Sequence, residues 1–342
     1  MAITSCGADT WPGKEWETAT PSDTGLDPTK LAQARDYALT AEGAGYIIHK
    51  GKLVMSWGDA TQRYDLKSTS KSIGGTLLGI ALKDQKVRLD DLARKYHPTF
   101  GVPPETNAQT GWLDTITLRM LANQTAGFEK PGGYQPLLFE PGTRWHYSDG
   151  GPNWLAECLT LIYKQDLDEL IFARVFTPIG ITREDIVWRK NAFRPHLLDG
   201  FARREFGSGF SANINAMARI GYLYLREGRW KNEQILPPEF IRAIREPDPG
   251  LAKLRAHDPT GHGHAASHYS MLWWNNIDGT IAGLPRDAHW SWGLYDSLIV
   301  VIPSLDMVVA RAGPAKSWKR TANADHYDVL KPFLVPIATA VN

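Results

Sequence analysis

The apolar positions along the chain fall into three regimes. From residue 27 to about 42 they recur at helical spacing, behind an Asp27 suited to an N-cap and a Pro28 suited to the first helical position. Residues 45–49 and 53–57 are short strand-like runs joined at Lys50-Gly51-Lys52, the pattern of a hairpin. Helical and loop-rich sequence then dominates from residue 68 to about 259. Strand patterns return at 269–275, 278–282, 297–302 and 307–312, and a last helix is expected over about 325–338, interrupted by Pro332 and Pro336. This order predicts an α/β protein of the α+β type: an antiparallel sheet built from both chain ends, flanked by helices, with a helical lobe inserted. The expected division is a sheet lobe of residues 1–62 and 265–342 and a mostly helical lobe of residues 63–264. The active site is expected where the lobes meet, a common place for a pocket. No internal repeat or low-complexity run interrupts the pattern.

Composition narrows the functional classes. The 342 residues are 43% hydrophobic, enough for one large domain or two lobes. Lys plus Arg (38) nearly balances Asp plus Glu (37), so nothing points to a nucleic-acid or membrane-surface partner. Two cysteines, Cys6 and Cys158, make no disulfide framework, and Cys158 falls in an apolar helix as a core residue. The first residues, Met1 to Gly7, have neither the charged nor the apolar region of a signal peptide, and no apolar run is long enough to span a bilayer. The expectation is a cytoplasmic protein, or a periplasmic or secreted one whose leader was removed. Thirteen tryptophans is a high count, and Trp145, Trp273, Trp274, Trp290 and Trp292 fall near the segments singled out below.

Candidate chemistry starts at Ser68-Thr69-Ser70-Lys71, just ahead of a mostly apolar helical run. Positions i and i+3 share a helix face. Lys71, desolvated and near the positive helix end, is therefore placed to take the Ser68 proton and turn a poor nucleophile into a good one. Unpaired N–H groups at the helix start can hold an oxyanion. The alternative is that Ser68 merely caps the helix. A second segment, Phe139 to Gly151, runs from a Pro-Gly turn into Tyr147-Ser148-Asp149, with a helix expected from about Pro152 or Asn153. Tyr147 is either a proton shuttle or an ordinary buried tyrosine. A third, His289-Trp290-Ser291-Trp292-Gly293-Leu294, precedes the apolar strand at 297–302. It is either a place where backbone approaches a ligand closely at Gly293 or a turn with core tryptophans.

Together and in this order, the three segments resemble the penicillin-recognising serine hydrolase superfamily, which joins β-lactamases, penicillin-binding proteins, family VIII carboxylesterases and 6-aminohexanoate-dimer hydrolases. The resemblance covers nearly the whole chain. It includes the lead-in Thr20 to Asp27, the segment Ile116 to Phe128, and Gly207-Ser208-Gly209-Phe210-Ser211-Ala212 with Met217 to Gly221. It implies a β-lactamase/transpeptidase-like fold and no cofactor. The chain departs from the family pattern twice. Ser291-Trp292-Gly293 stands where the family has K-T-G, so the cation that anchors a substrate carboxylate is missing. Asp149 replaces the Asn that ends the second motif. An ionised Asp only accepts hydrogen bonds, and beside Lys71 it would favour the lysine's charged form. Both departures look more like the esterase and nylon-oligomer hydrolase branches.

The reading is a serine hydrolase that cleaves a small-molecule ester through an acyl-enzyme. Ser68 attacks, Lys71 and Tyr147 relay the proton, and Asp149 orients Lys71. The Ser68 N–H and one at Gly293 or Leu294 hold the oxyanion, with Ser291 supporting and Tyr64, Trp290 and Trp292 walling the pocket. An amidase or a D-aminopeptidase is the second reading, and a non-catalytic penicillin-binding-like sensor the third. A homodimer is left open. His257, His262, His264 and His268 cluster in a Gly-rich stretch, but no acidic or cysteine ligand accompanies them at familiar spacing. No metal is expected there; a solvated rim loop is.

Overall fold

Residues 298–302 are apolar at every position, and a strand apolar on both faces must be covered on both. In the computed structural model, which describes residues 10–321 and 326–341, this strand lies inside a seven-stranded antiparallel sheet with helices on each side. In chain order the strands are β1 (Ala44–His49), β2 (Lys52–Trp57), β3 (Tyr269–Ser270), β4 (Trp273–Asn275), β5 (His289–Gly293), β6 (Ser297–Ile302) and β7 (Met307–Ala312). The spatial order is β3-β4-β5-β6-β7-β1-β2, so the early hairpin completes a sheet begun by the C-terminal meander.

Alternation along these strands divides the interior into two cores. Ile299, Val301, Val308 and Ala310 face one side with α4 (Ile214–Leu225), which lies across β6 and β7. Gly221 makes that approach close: a Cβ there would stand 2.6 Å from Val308 Cγ1. Leu298, Val300, Ile302 and Val309 face the other side, under α1 (Pro28–Leu39) and α5 (Lys331–Ala338), which pack on each other. Asp27 caps α1 as expected, accepting from Thr29 N at 2.8 Å. The remaining helices that matter for the site are α2 (Thr69–Lys83) and α3 (Gly150–Tyr163), which pack together, with α2 also against β5 and β6. Among the described residues, no helix is long and apolar enough to cross a membrane. Cys6 and Asp325, the expected start of the last helix, lie outside the described residues; Cys158 is buried and free.

Three expectations about strands are corrected. The run at 269–275 is a hairpin, with Met271 and Leu272 both left-handed at its turn (φ 49° and 66°). Neither is a residue type that favours positive φ. The turn is held from outside, by Asn123 Oδ1 accepting from Met271 N at 2.9 Å and by Leu272 O accepting from Ser72 Oγ at 2.7 Å. The run at 278–282 is a loop, because the Asn276 side chain takes the carbonyls of Ile281, Leu284 and Pro285 that a ladder would need. His289–Gly293 is a strand rather than a turn; buried on both faces, it shows no polar alternation by which to recognise it.

The helical part is pinned by a buried ion cluster. Glu157, on α3, accepts from Arg194 Nη1 at 2.7 Å and sits 3.0 Å from His97 Nε2 and 3.2 Å from Arg203 Nε. Burial pushes the Glu157 carboxyl up, but His97, Arg194 and Arg203 outweigh it and hold it below the usual carboxylate range. Arg194 also donates to Gly133 O and Gly150 O, which ties the first residue of α3 to the neighbouring loop. Breaking a buried pair strands a charge at a cost of about 3–5 kcal/mol. Arg194→Met should therefore lower the unfolding free energy by roughly that amount, measured as a shift in the denaturant midpoint. A loss under about 1 kcal/mol, the scale of an exposed ion pair, would mean that Glu157 is satisfied without Arg194.

Candidate active site

Ser68 sits at the N-cap of α2, after Lys67 in the left-handed region (φ 48°) and a backbone hydrogen bond from Thr69 N to Leu66 O. Its side chain makes no capping hydrogen bond, so the hydroxyl is not spent on the helix. It accepts instead from Lys71 Nζ at 3.1 Å, one turn on. Lys71 is buried, and its ammonium also donates to Gly207 O at 2.9 Å and to the Asp149 carboxylate. Asp149 Oδ2 accepts in addition from Lys130 Nζ at 2.6 Å, so two lysines share one carboxylate. Burial pushes the Asp149 carboxyl up, and Lys71 and Lys130 together overcome it and hold it below its ordinary range.

Tyr147 approaches from the other side. Gln124 brackets it, accepting from Ser148 N and donating to Ser148 O, both at 2.9 Å, while Gln124 O accepts from His146 N. The Tyr147 hydroxyl lies close to Ser68, and its ring lies 4.7 Å from Lys71 Nζ. Burial first, with Asp149 adding to it, pushes the phenol up to about 12; Lys130 and the nearby Ser68 oppose the rise. The hydroxyl is therefore protonated at neutral pH and available to donate.

Gly293 explains how β5 reaches Ser68. A Cβ on it would stand 2.1 Å from Leu66 O, 2.3 Å from Ser297 Oγ and 3.1 Å from Thr69 N. Around this contact Thr69 Oγ1 donates to Ser297 O at 2.8 Å, Ser297 Oγ to Leu66 O at 2.6 Å, and Ser291 Oγ to Thr69 Oγ1 at 3.2 Å. The end of β5 and the start of β6 are thus stapled to the first turn of α2. In front of them opens a cavity of about 490 Å³, bounded by Ser68, Tyr147, Asp149, Lys130, Gly207, Trp292, Gly293 and Leu294, with Trp274, His262, His326, Arg189, Phe193 and Arg320 at its walls and mouth. The arrangement is an unspent hydroxyl, an amine and a phenol converging at one end of an aromatic cavity.

Residues 38–312 match the family model Beta-lactamase. The chain belongs to the beta-lactamase family. Solved structures agree in fold. A putative beta-lactamase from Bacteroides dorei DSM 17855 superposes with a TM-score of 0.72 at 16% identity, covering 93% of this chain and 99% of that one. A putative 6-aminohexanoate-dimer hydrolase from Bacillus anthracis gives 0.64 at 20% identity, covering 86% and 78%. A family VIII carboxylesterase gives 0.65 at 14% identity, covering 93% and 98%. No curated protein sequence matches the chain. The β-lactamase/transpeptidase-like fold and membership of a serine hydrolase family are thereby established.

Within this beta-lactamase-family fold, several expected site residues lie elsewhere. Ser291 is fully buried behind Ser68, accepting from Ile299 N at 2.9 Å, and does not face the cavity. Trp290 shares a face with Trp292 but lies one repeat deeper, in the core beneath α1 and α5. Tyr64 pairs with Ala212 in a small separate sheet and packs into the core on the helical side. The histidines are a solvated rim only in part: His264 is exposed, while His262 and His268 are drawn inward. His262 stacks on Trp274 and lies 4.8 Å from the Tyr147 ring, and burial, then neighbouring positive charge, pushes its imidazole down to about 3. His268 is fully buried, and an acidic partner does accompany it: Asp278 lies 2.9 Å from His268 Nδ1 and also accepts from Ser267 Oγ at 2.6 Å. With His264, these donor atoms lie within 4.8 Å of one another. Helix α3 starts at Gly150, just ahead of the expected Pro152 or Asn153, which makes Asp149 its N-cap residue. Lys130, Arg189, Phe193, Arg320 and His326 are cavity residues that pattern reading passed over, whereas Gly207 and His262 were singled out without being placed at the site.

Gly293→Ala should move β5 off the first turn of α2. A displacement near 1 Å in a reacting group costs about 10²-fold in rate. The labelling rate of Ser68 by a fluorophosphonate should fall about that far while the circular dichroism spectrum is kept. Wild-type labelling in the variant would show that the close approach is not needed.

Proposed function

We propose that this protein is a carboxylesterase-type serine hydrolase acting on a small ester through an acyl-enzyme. One observation carries the reading: the Ser68 hydroxyl, free of capping duty, stands 3.1 Å from Lys71 Nζ and close to the Tyr147 hydroxyl, at one end of a cavity. Ser68 Oγ attacks the ester carbonyl as its proton passes to the Lys71–Tyr147 pair. The Ser68 and Leu294 N–H groups stabilise the oxyanion, the kind of interaction worth 10²–10³-fold or about 3–4 kcal/mol per donor. Tyr147 protonates the departing alkoxide, releasing the alcohol. The same pair then takes a proton from water, whose oxygen attacks the acyl carbon, and the acid leaves with Ser68 restored.

An ester fits this cavity better than a β-lactam. No cation projects from β5 at the position where the family's K-T-G lysine would anchor a carboxylate, because Ser291 is turned into the core. The walls are aromatic, with Trp274, Trp292, His262 and Tyr147. The likeness to a family VIII carboxylesterase supports this choice, and the likeness to a putative 6-aminohexanoate-dimer hydrolase makes a linear amide the second substrate to try.

Intact-mass spectrometry after fluorophosphonate treatment, alongside p-nitrophenyl butyrate turnover, tests the proposal. Wild type should gain one adduct on Ser68 and hydrolyse the ester. Ser68→Ala should lose the adduct and drop in turnover by about 10³-fold or more, as removal of a nucleophile does, without unfolding. An adduct without ester turnover would move the reading to amides; turnover persisting in Ser68→Ala would sink it.

A further inference from the structure

Asp149 poses a problem for the mechanism just proposed. A carboxylate against an ammonium holds the proton on the amine, yet Lys71 must lose a proton to act as a base. The second lysine resolves this. Lys130 Nζ donates to Asp149 Oδ2 while Lys71 Nζ binds Oδ1, so one negative charge faces two positive ones. With both lysines charged the trio carries a net positive charge. When Lys71 gives up its proton the trio becomes neutral, and what remains is a complete Asp149–Lys130 ion pair. Without Lys130 the count reverses: a neutral Asp149–Lys71 pair would have to become a lone buried anion, which is far more costly.

We propose that Lys130 is a positioning residue of the proposed reaction, which neutralises Asp149 so that Lys71 can serve as the base toward Ser68. This rests on the reading of Ser68 and Lys71 given above. Lys130 does not touch the serine. It acts through Asp149, and through its charge 5.3 Å from the Tyr147 ring centroid, where it also favours release of the phenolic proton. The segment that carries it is fixed. Asp149 N donates to Lys130 O at 2.9 Å and Ser148 Oγ to Glu129 O at 2.9 Å, so the two segments that carry the lysine and the carboxylate are joined by one backbone and one side-chain hydrogen bond.

The other ionisable groups around the trio are few. Beside Lys130 stand Glu129 and His146; from the sheet side come His262 and Tyr269; from the segment after α3 come Arg189 and Glu205. Burial and neighbouring positive charge hold His146 and His262 toward the neutral form, and burial keeps Tyr269 protonated. Glu205 is the rival. It is buried, ion-paired with Arg189, and burial pushes its carboxyl up to about 7, so its own titration could also shape a rate profile near neutrality.

The test is the pH dependence of Ser68 labelling by an alkyl fluorophosphonate, read by intact mass, which requires no knowledge of the substrate. Lys130→Met should move the acid limb to higher pH by about one unit or more, the effect of removing a charge within a few ångströms. At neutral pH the rate should fall about tenfold for each pH unit the limb moves, and recover as the pH is raised. Lys130→Arg should restore the wild-type limb. Asp149→Asn should move the limb the opposite way, and in that background Lys130→Met should raise it by less than it does in wild type, because only the direct effect of its charge remains once there is no carboxylate to uncover. The Lys130→Met displacement should persist in a Glu205→Gln background. A merely structural Lys130 would lower the rate at every pH alike. A limb that does not move in Lys130→Met, or a displacement that vanishes with Glu205→Gln, overturns the proposal and leaves the serine hydrolase reading standing. Failure of wild-type Ser68 to label at any pH removes that parent reading, and this one with it.

Discussion

The site depends on one close contact, the meeting of the end of β5 with the first turn of α2. Gly293 lies where a methyl group would stand 2.1 Å from Leu66 O, and the hydroxyls of Thr69, Ser291 and Ser297 close the seam around it. A glycine there loses packing and costs chain entropy. It is tolerated because the sheet edge and the helix start must share one place. That placement brings Ser68 beside the end of β5, so that Ser68, Gly293 and Leu294 line one cavity. The fold follows from burying a strand that is apolar on both faces; the chemistry follows from where one of its neighbours stops.

Charge is the second constraint. A buried lysine is tolerable when its three protons are taken, and Lys71 directs them at Ser68, Asp149 and Gly207. The same ammonium that the fold can bury in this way must still give up a proton before it can serve as the proposed base. The structure answers with a second cation on the same carboxylate, so Asp149 is balanced whichever charge state Lys71 takes. Polar networks of this kind fail badly when half satisfied. The Glu157 cluster, two turns along α3, obeys the same rule, with Arg194, His97 and Arg203 around one carboxylate. One helix is thus anchored by charge at its start and at its middle.

What could be read from the sequence was local. Ser68 and Lys71 are one helical turn apart, Tyr147 and Asp149 two residues apart, and the strands at 297–302 and 307–312 have the extents expected. What could not be read depends on tertiary partners. Gly207 meets Lys71 across 136 residues, and Lys130 meets Asp149 from a loop with no pattern of its own. The turn at Met271 and Leu272 carries none of the residues that favour positive φ, because Asn123 and Ser72 hold it from outside. The tryptophan-rich segment misled in a more specific way. Alternation along β5 sends Ser291 and Gly293 toward α2 and Trp290 and Trp292 to the opposite face. Of the two indoles, only Trp292, at the strand end, reaches the cavity.

The cations at the cavity argue about substrate in an indirect way. Lys130, Arg189 and Arg320 all border it, which at first sight invites a carboxylate. Each already has an acidic neighbour: Lys130 with Asp149 at 2.6 Å, Arg189 with Glu205, and Arg320 with Asp296 at 3.9 Å. An anionic substrate would compete for these partners. Drawing Lys130 away from Asp149 would return that carboxylate to Lys71 and hold the proton on the base. A neutral ester resting on Trp274, Trp292 and His262 leaves the pairs intact. On the proposed mechanism, then, the charge balance that frees Lys71 is itself a reason for the cavity to take an uncharged acyl group.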